Sequence, residues 1–193
     1  MSGSPGQSGA LNESQSDVWG QLFVKYLTGA TDWVNWSEGP EGGIRNLNDP
    51  PLLTYSWPAS PDAIYHYPDR FHSVGTYCGG ADSGGVHINP TVVSKGAYLV
   101  AEGGSFNGCT IAGIGTDKLE QILYRVVTQY YSSSASFNSG YYNWIQAAAD
   151  LYGADSPECL QTRRALQSVE LDQPGYCSGL PARLPAALDP VGW

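Results

Sequence analysis

The chain has 193 residues, of which 41% are hydrophobic and only 14% charged, with 24 glycines, 13 tyrosines and 6 tryptophans. That length is enough to bury a substantial core in one domain, and the glycine-punctuated, aromatic-rich make-up suits a secreted protein better than a cytosolic helical bundle. Nine basic residues against eighteen acidic ones leave a net charge of −9, which argues against nucleic acid or an anionic membrane as the main partner. No apolar run approaches the roughly 18 residues expected of a membrane span.

Residues 1–8 read as a flexible leader, natural or engineered. They lack the basic segment and apolar run of a signal peptide. The first predicted helix covers residues 10–28, with Leu11, Val18, Leu22, Tyr26 and Leu27 as its apolar stripe and Gly29 as its stop. Glu13 and Asp17 sit four apart, so both carboxylates leave one face of that helix. Their mutual repulsion calls for a cation, a histidine or hydrogen-bond donors nearby; a merely solvated acidic face is the competing reading.

Residues 30–90 carry few helical signals. Pro40, Pro50, Pro51, Pro58, Pro61 and Pro68 interrupt regular structure, and so long an irregular stretch is plausible where loops line a cleft. A helix is predicted over 90–101, with Asn89 as its cap, Pro90 in the first turn and Val93, Ala97 and Val100 buried. Another covers 116–130, with Leu119, Ile122, Leu123, Val126 and Val127 inward. Two more run over 139–152 and from Ser156-Pro157-Glu158 to about residue 168. The fold class is therefore mainly α: a helical domain over 9–170 with long irregular loops, and an irregular tail over 171–193.

Cys78, Cys109, Cys159 and Cys177 include no C-x-x-C pair, so neither a redox motif nor a structural zinc site is indicated. Their number allows three disulfide pairings. Sequential pairing, Cys78 with Cys109 and Cys159 with Cys177, is simplest, because the second bond would clip the tail to the last helix. A reduced, buried set is the alternative.

The loop Asp82-Ser-Gly-Gly-Val-His87 brings a carboxylate and a histidine together through glycines that permit tight turning. Asp82 can accept a hydrogen bond from one imidazole nitrogen of His87, fixing the tautomer and aiming the other nitrogen outward. The bland alternative is a histidine that merely closes a helix entrance.

Four segments occur in the order found in thermolysin-like zinc metalloproteases: Gly9-Ala-Leu-Asn-Glu-Ser-Gln-Ser-Asp17, Gly43-Ile-Arg-Asn-Leu-Asn-Asp-Pro50, Asp82-Ser-Gly-Gly-Val-His-Ile-Asn89 and Gly113-Ile-Gly-Thr-Asp-Lys118. Ala147-Ala-Ala-Asp-Leu-Tyr-Gly153 is similar to that family as well. Over residues 8–170 the chain resembles the C-terminal five-helix domain of such a protease.

The resemblance implies a role for each matching residue. Glu13 resembles the third zinc ligand, and Asp17 the carboxylate that orients a zinc-binding histidine. His87 resembles the oxyanion-stabilising histidine, with Asp82 as its orienting partner and Tyr77 as a looser candidate beside it. Arg45 resembles the arginine that binds the substrate carbonyl, Asp49 a residue holding that guanidinium or its loop, and Ile44 the apolar wall for the residue after the scissile bond. No His-Glu-x-x-His stands among the 193 residues, and His66 and His72 lack that spacing and read as loop or surface histidines. The expectation is thus the C-terminal half of a secreted, zinc-dependent neutral endopeptidase. Zinc would be bound in the complete enzyme and weakly or not at all by this chain, whose partners would be an N-terminal catalytic domain and a peptide substrate. Calcium is uncertain: Asp32 remains, but Val24, Val34 and Ser37 stand at positions that resemble acidic ligands. A non-catalytic peptide-binding or protease-interacting domain on the same scaffold is the alternative.

Overall fold

A computed structural model of the chain describes residues 6–36, 43–57 and 60–173. In these, five long helices form the body: α1 (Gln7–Thr28), α3 (Pro90–Glu102), α4 (Thr116–Arg125), α5 (Phe137–Tyr152) and α6 (Pro157–Ser168), with α2 (Asp82–Gly85) a single turn. Two antiparallel hairpins lie between α1 and α2, pairing β1 (Val34–Trp36) with β2 (Gly43–Asn46) and β3 (Thr54–Trp57) with β4 (Ser60–His66). A third, β5 (Gly103–Phe106) with β6 (Cys109–Ala112), follows α3.

Local chemistry explains the helix ends. Ser136 and Ser139 form a reciprocal capping box at α5, Ser156 caps α6 by accepting from the Cys159 amide, and Pro157 and Pro90 occupy first-turn positions. Gly29 closes α1 at φ +84°, a conformation glycine adopts without a Cβ clash. Beyond Arg125 the α4 helix widens into a π-helical stretch, Val126–Tyr130.

Helix α3 is central, packed against α1, α4 and α6, while α5 packs on α6 and α4. Leu11, Val92, Val100, Leu119, Leu123, Trp144 and Leu166 are buried between them. Ser14 and Ser94 meet through their hydroxyls at 3.2 Å where α1 crosses α3.

Several expectations are corrected here. Tyr26 and Leu27 are exposed, because the last turns of α1 run past the body, and Val127 turns outward in the π-helical stretch. Asn89 makes no capping bond. Its Oδ1 accepts from the Tyr77 amide and its Nδ2 donates to the Tyr77 carbonyl, both at 2.9 Å. The proline-rich region holds two hairpins: Pro40 and Pro58 fall in sequence between their paired strands, and Pro61 lies within β4. The sequential cysteine pairing does not occur: Cys109 and Cys159 are buried free thiols, whereas Cys78 is disulfide-bonded. Each free thiol sits in the helical core, where burial pushes its pKa up. Cys177 and Ser37 lie outside the described residues.

Candidate functional site

One face of α1 organises the site. Glu13, Asp17 and Gln21 follow one another at helical spacing, and Gln21 fastens the first hairpin to the helix. Its Nε2 donates to the Val34 carbonyl and to Asn35 Oδ1, both at 2.9 Å, while its Oε1 accepts from the Trp33 amide at 3.0 Å. Because Asn35 is paired with Arg45 across the hairpin, this anchorage swings Arg45 over α1. Gln21 is the residue that the motifs missed; its signal was the third place in the i, i+4 series begun by Glu13 and Asp17.

Arg45 then grips Asp17 with two donors, Nε to Oδ2 at 2.6 Å and Nη2 to Oδ1 at 2.8 Å. Both groups are largely withdrawn from water. Burial pushes the Asp17 carboxyl above its ordinary range, and the guanidinium offsets part of that rise. On Arg45 the order reverses in outcome: burial lowers it, yet the bonds and charges of Asp17 and Glu13 carry it above its usual value. The bidentate geometry supports an ionised pair.

Glu13 is placed differently. Its Oε2 stands 3.6 Å from Arg45 Nη2 and 3.8 Å from His87 Nε2, and its side chain is 29% exposed. Neither nitrogen reaches hydrogen-bond distance of it.

The opposite wall comes from α2. Asp82, Ser83, Gly84 and Gly85 have φ of +51°, +48°, +89° and +84°, a left-handed run that costs free energy at its two non-glycine members. The turn folds His87 back onto Asp82. Asp82 Oδ2 accepts from the His87 amide at 2.8 Å and Oδ1 lies 2.5 Å from Nδ1. With Nδ1 engaged, Nε2 faces Glu13. The Asp82–His87 coupling read from the loop is therefore present in the structure.

Other residues fall outside this cluster. Ile44 is exposed beside Arg45. The Asp49 amide donates to Asn46 Oδ1 at 2.7 Å, so Asp49 belongs to the adjoining loop, and its charge acts on Lys95 rather than on Arg45. Tyr77 is a loop anchor whose hydroxyl accepts from the Ala81 amide at 3.1 Å. His66 is exposed, with Nδ1 2.7 Å from the Pro51 carbonyl. His72 lies on a loop but is buried, bound to Glu170 Oε2 through its amide at 2.8 Å and Nδ1 at 3.0 Å. Asp32 Oδ1 accepts from the Val34 amide at 3.0 Å. Among the described residues no three His, Cys, Asp or Glu side chains converge as a metal-binding group, and no helix is long and apolar enough to cross a membrane.

Beside the cluster opens a groove of about 1440 Å³, walled by Tyr55, Tyr65, Tyr67, Tyr77, Arg70 and Cys78. The rings of Tyr55 and Tyr65 stack with centroids 5.5 Å apart. Tyr67 connects groove and cluster: burial raises its phenol, and the charges of Arg45, Asp17 and Asp82 act on it.

Comparison with known proteins bears on the family and the fold. The family model for the thermolysin metallopeptidase alpha-helical domain matches residues 5–171. Bacillolysin of Bacillus cereus is 39% identical over 168 residues, 84% of this chain and 27% of that protein. Neutral protease B of Bacillus subtilis is 38% identical over 169 residues, 85% of this chain and 28% of its own length. The chain thus spans little more than a quarter of these relatives. Among solved structures, the precursor of protealysin, a metalloproteinase from Serratia proteamaculans, superposes with a TM-score of 0.66 at 21% identity, covering 86% of this chain and 50% of that one; this likeness concerns the fold. With a family model that matches residues 5–171, the chain belongs to the thermolysin metallopeptidase family as its C-terminal alpha-helical domain.

Proposed function

We propose that this chain is the C-terminal half of a secreted, zinc-dependent neutral endopeptidase, and that it supplies one metal ligand and the substrate-positioning wall of a site completed by an N-terminal domain. The observation that carries this reading is Glu13: a part-exposed carboxylate beside a fixed histidine, with neither Arg45 Nη2 nor His87 Nε2 within hydrogen-bond distance. Such an oxygen donor suits zinc, whose catalytic sites take three protein ligands and leave a fourth position open. Glu13 provides one of the three. The other two, and the base that takes a proton from water, would come from His-Glu-x-x-His on the partner domain. Zinc, when bound there, would lower the pKa of its water and polarise the scissile carbonyl.

This chain's own residues act around that chemistry. Arg45 holds Asp17 in one orientation, and Asp17 is then fixed to accept from the outer N–H of a metal-binding imidazole. The same guanidinium is placed to position a substrate carbonyl. Asp82 fixes the His87 ring through Nδ1–H, so that the Nε2–H of the imidazolium form would point toward the oxygen that gains charge during attack. Ile44 offers an apolar surface for the residue after the scissile bond.

The reading is tested by adding an N-terminal domain that carries His-Glu-x-x-His and measuring zinc-dependent peptide cleavage. Activity that appears only with both parts, and falls by about 10²–10³ in kcat for His87→Ala, supports it. Failure of every such pairing, with both parts folded, would overturn it. The tyrosine-lined groove favours a second reading, a domain that binds peptides without cutting them; tight peptide binding by this chain with no complementation would support that one.

A further inference from the structure

Beyond the site, helix α1 carries an apolar surface that faces solvent. Phe23, Val24, Tyr26 and Leu27 are 60%, 39%, 84% and 63% exposed. Exposed apolar residues scattered singly need no explanation, but four within five positions form a patch of the kind that marks a contact surface. No charged residue stands between Asp17 and Lys25. At 3.6 residues per turn, Val24 returns to within about 20° of the direction of Glu13, Leu27 lies about 40° to the other side, and Tyr26 is turned about 140° away. Val24 and Leu27 therefore prolong the face that carries Glu13, with Phe23 at its edge. Gly20 lies on that face as well, exposed, between Glu13 and Val24. Glycine inside a helix is destabilising relative to alanine, yet a Cβ at Gly20 would meet only Asn35 Oδ1 at 3.7 Å, an ordinary contact. Among the described residues nothing requires glycine there, whereas a surface approaching the helix backbone from outside does.

The position of Glu13 indicates what covers this face. A domain that places two imidazoles on a metal shared with Glu13 has to lie against α1 at that point. Along the helix axis Val24 stands about 16 Å from Glu13 and Leu27 about 21 Å. A stable interface buries about 800 Å² on each partner, a patch about 30 Å across. A domain whose footprint takes in Glu13 near one edge therefore reaches both apolar residues, and Gly20 lies beneath its middle.

We propose that the strip formed by Gly20, Val24 and Leu27, edged by Phe23, is the docking surface for the N-terminal domain, which meets it with an apolar face and is thereby seated over Glu13. This rests on the endopeptidase reading, because it takes that domain as the partner. The apolar contact holds the two parts together without the metal.

The test is calorimetric titration of the full chain with an N-terminal domain carrying His-Glu-x-x-His, with zinc removed by a chelator and again with zinc present. Without zinc, Val24→Ser/Leu27→Ser should weaken association by about 30-fold. Gly20→Gln should weaken it by about tenfold, although the better helix former leaves the free chain no less stable. Tyr26→Ser, on the far side of the same helix, should stay within about twofold of the intact chain. Hydroxyl-radical labelling of the intact chain needs no substitution: Phe23 and Leu27 should be protected several-fold in the complex, and Tyr26 should not. Unchanged affinity in the double variant, or unchanged labelling of Phe23 and Leu27 in a formed complex, overturns the docking surface and leaves the endopeptidase reading standing. Association that appears only with zinc does the same, since the metal alone then joins the parts. Absence of association by the intact chain, with zinc or without, overturns that reading and the surface with it. Dimers of this chain that depend on Val24 and Leu27, and that the N-terminal domain does not disperse, assign the strip to a second copy and equally overturn the proposal.

Discussion

Asp17 and Arg45 form a two-pronged ion pair at 2.6 and 2.8 Å between a helix and a hairpin 28 residues further along the chain. With side-chain exposures of 5% and 12%, the carboxylate has no recourse to water if its partner is lost. Arg45→Met should therefore destabilise the fold by about 3–5 kcal/mol, while Asp17→Leu with Arg45→Met should recover much of that loss, since an apolar pair leaves no buried charge behind. Urea unfolding of the two variants checks this. Equal losses in the single and double variants would show that the pair is not what holds the hairpin down.

The left-handed turn before His87 makes a second prediction. A Cβ added at Gly85, where φ is +84°, would meet Asn89 Nδ2 at 2.7 Å and Tyr77 Cδ1 at 3.0 Å. Gly85→Ala should cost about 1–3 kcal/mol. Chemical denaturation gives the cost, and nuclear magnetic resonance should show the amides of Tyr77 and His87 shifting together, because Asn89 and Asp82 tie them to the same turn.

Buried phenols set the alkaline limit of the fold. Burial raises Tyr131 strongly, against the opposing effect of the Trp144 indole that donates to its oxygen at 2.9 Å, and pushes Tyr55 and Tyr141 up to about 12. Each is higher when folded than when unfolded, so its contribution is complete below about pH 10 and is lost as pH rises through the folded value. Stability should hold to about pH 10 and fall between about 10 and 12. Tyr131→Phe should flatten part of that decline, at a cost near neutrality of about 1–3 kcal/mol for the orphaned indole N–H. Ultraviolet titration of phenolate, read beside thermal unfolding at each pH, distinguishes these effects.

Cys109 and Cys159 are free, buried, and raised in pKa by burial, so both should resist alkylation in the native protein and react once it is unfolded without reductant. Mass mapping of the alkylated sites checks this directly.

What the sequence revealed follows the range of the interactions involved. The helices announce themselves because caps such as Ser156, first-turn prolines and 3.6-residue periodicity act within a few residues. The Asp82–His87 contact is legible for the same reason: its partners stand five positions apart, with two glycines among the four residues between them. Arg45 gripping Asp17 is not, since it depends on Gln21 holding a hairpin to α1, and that hairpin hides among prolines. The tyrosine groove is equally silent, being assembled from two paired strands and the irregular loop that follows them. Cysteine pairing failed for a related reason, as nearness in sequence does not measure nearness across a packed helical body.

The central claim is that Glu13 serves as a metal ligand rather than a structural acid. Glu13→Gln should leave stability within about 0.5 kcal/mol, because no hydrogen bond to Arg45 or His87 is lost. The direct measurement is zinc affinity of the complex between this chain and an N-terminal domain carrying His-Glu-x-x-His, with Glu13 intact and with Glu13→Gln. One tightly bound zinc per complex, weakened by about 100-fold or more in the variant, is the predicted result. Equal affinity in the two complexes, or stoichiometric zinc held by this chain alone, would contradict it.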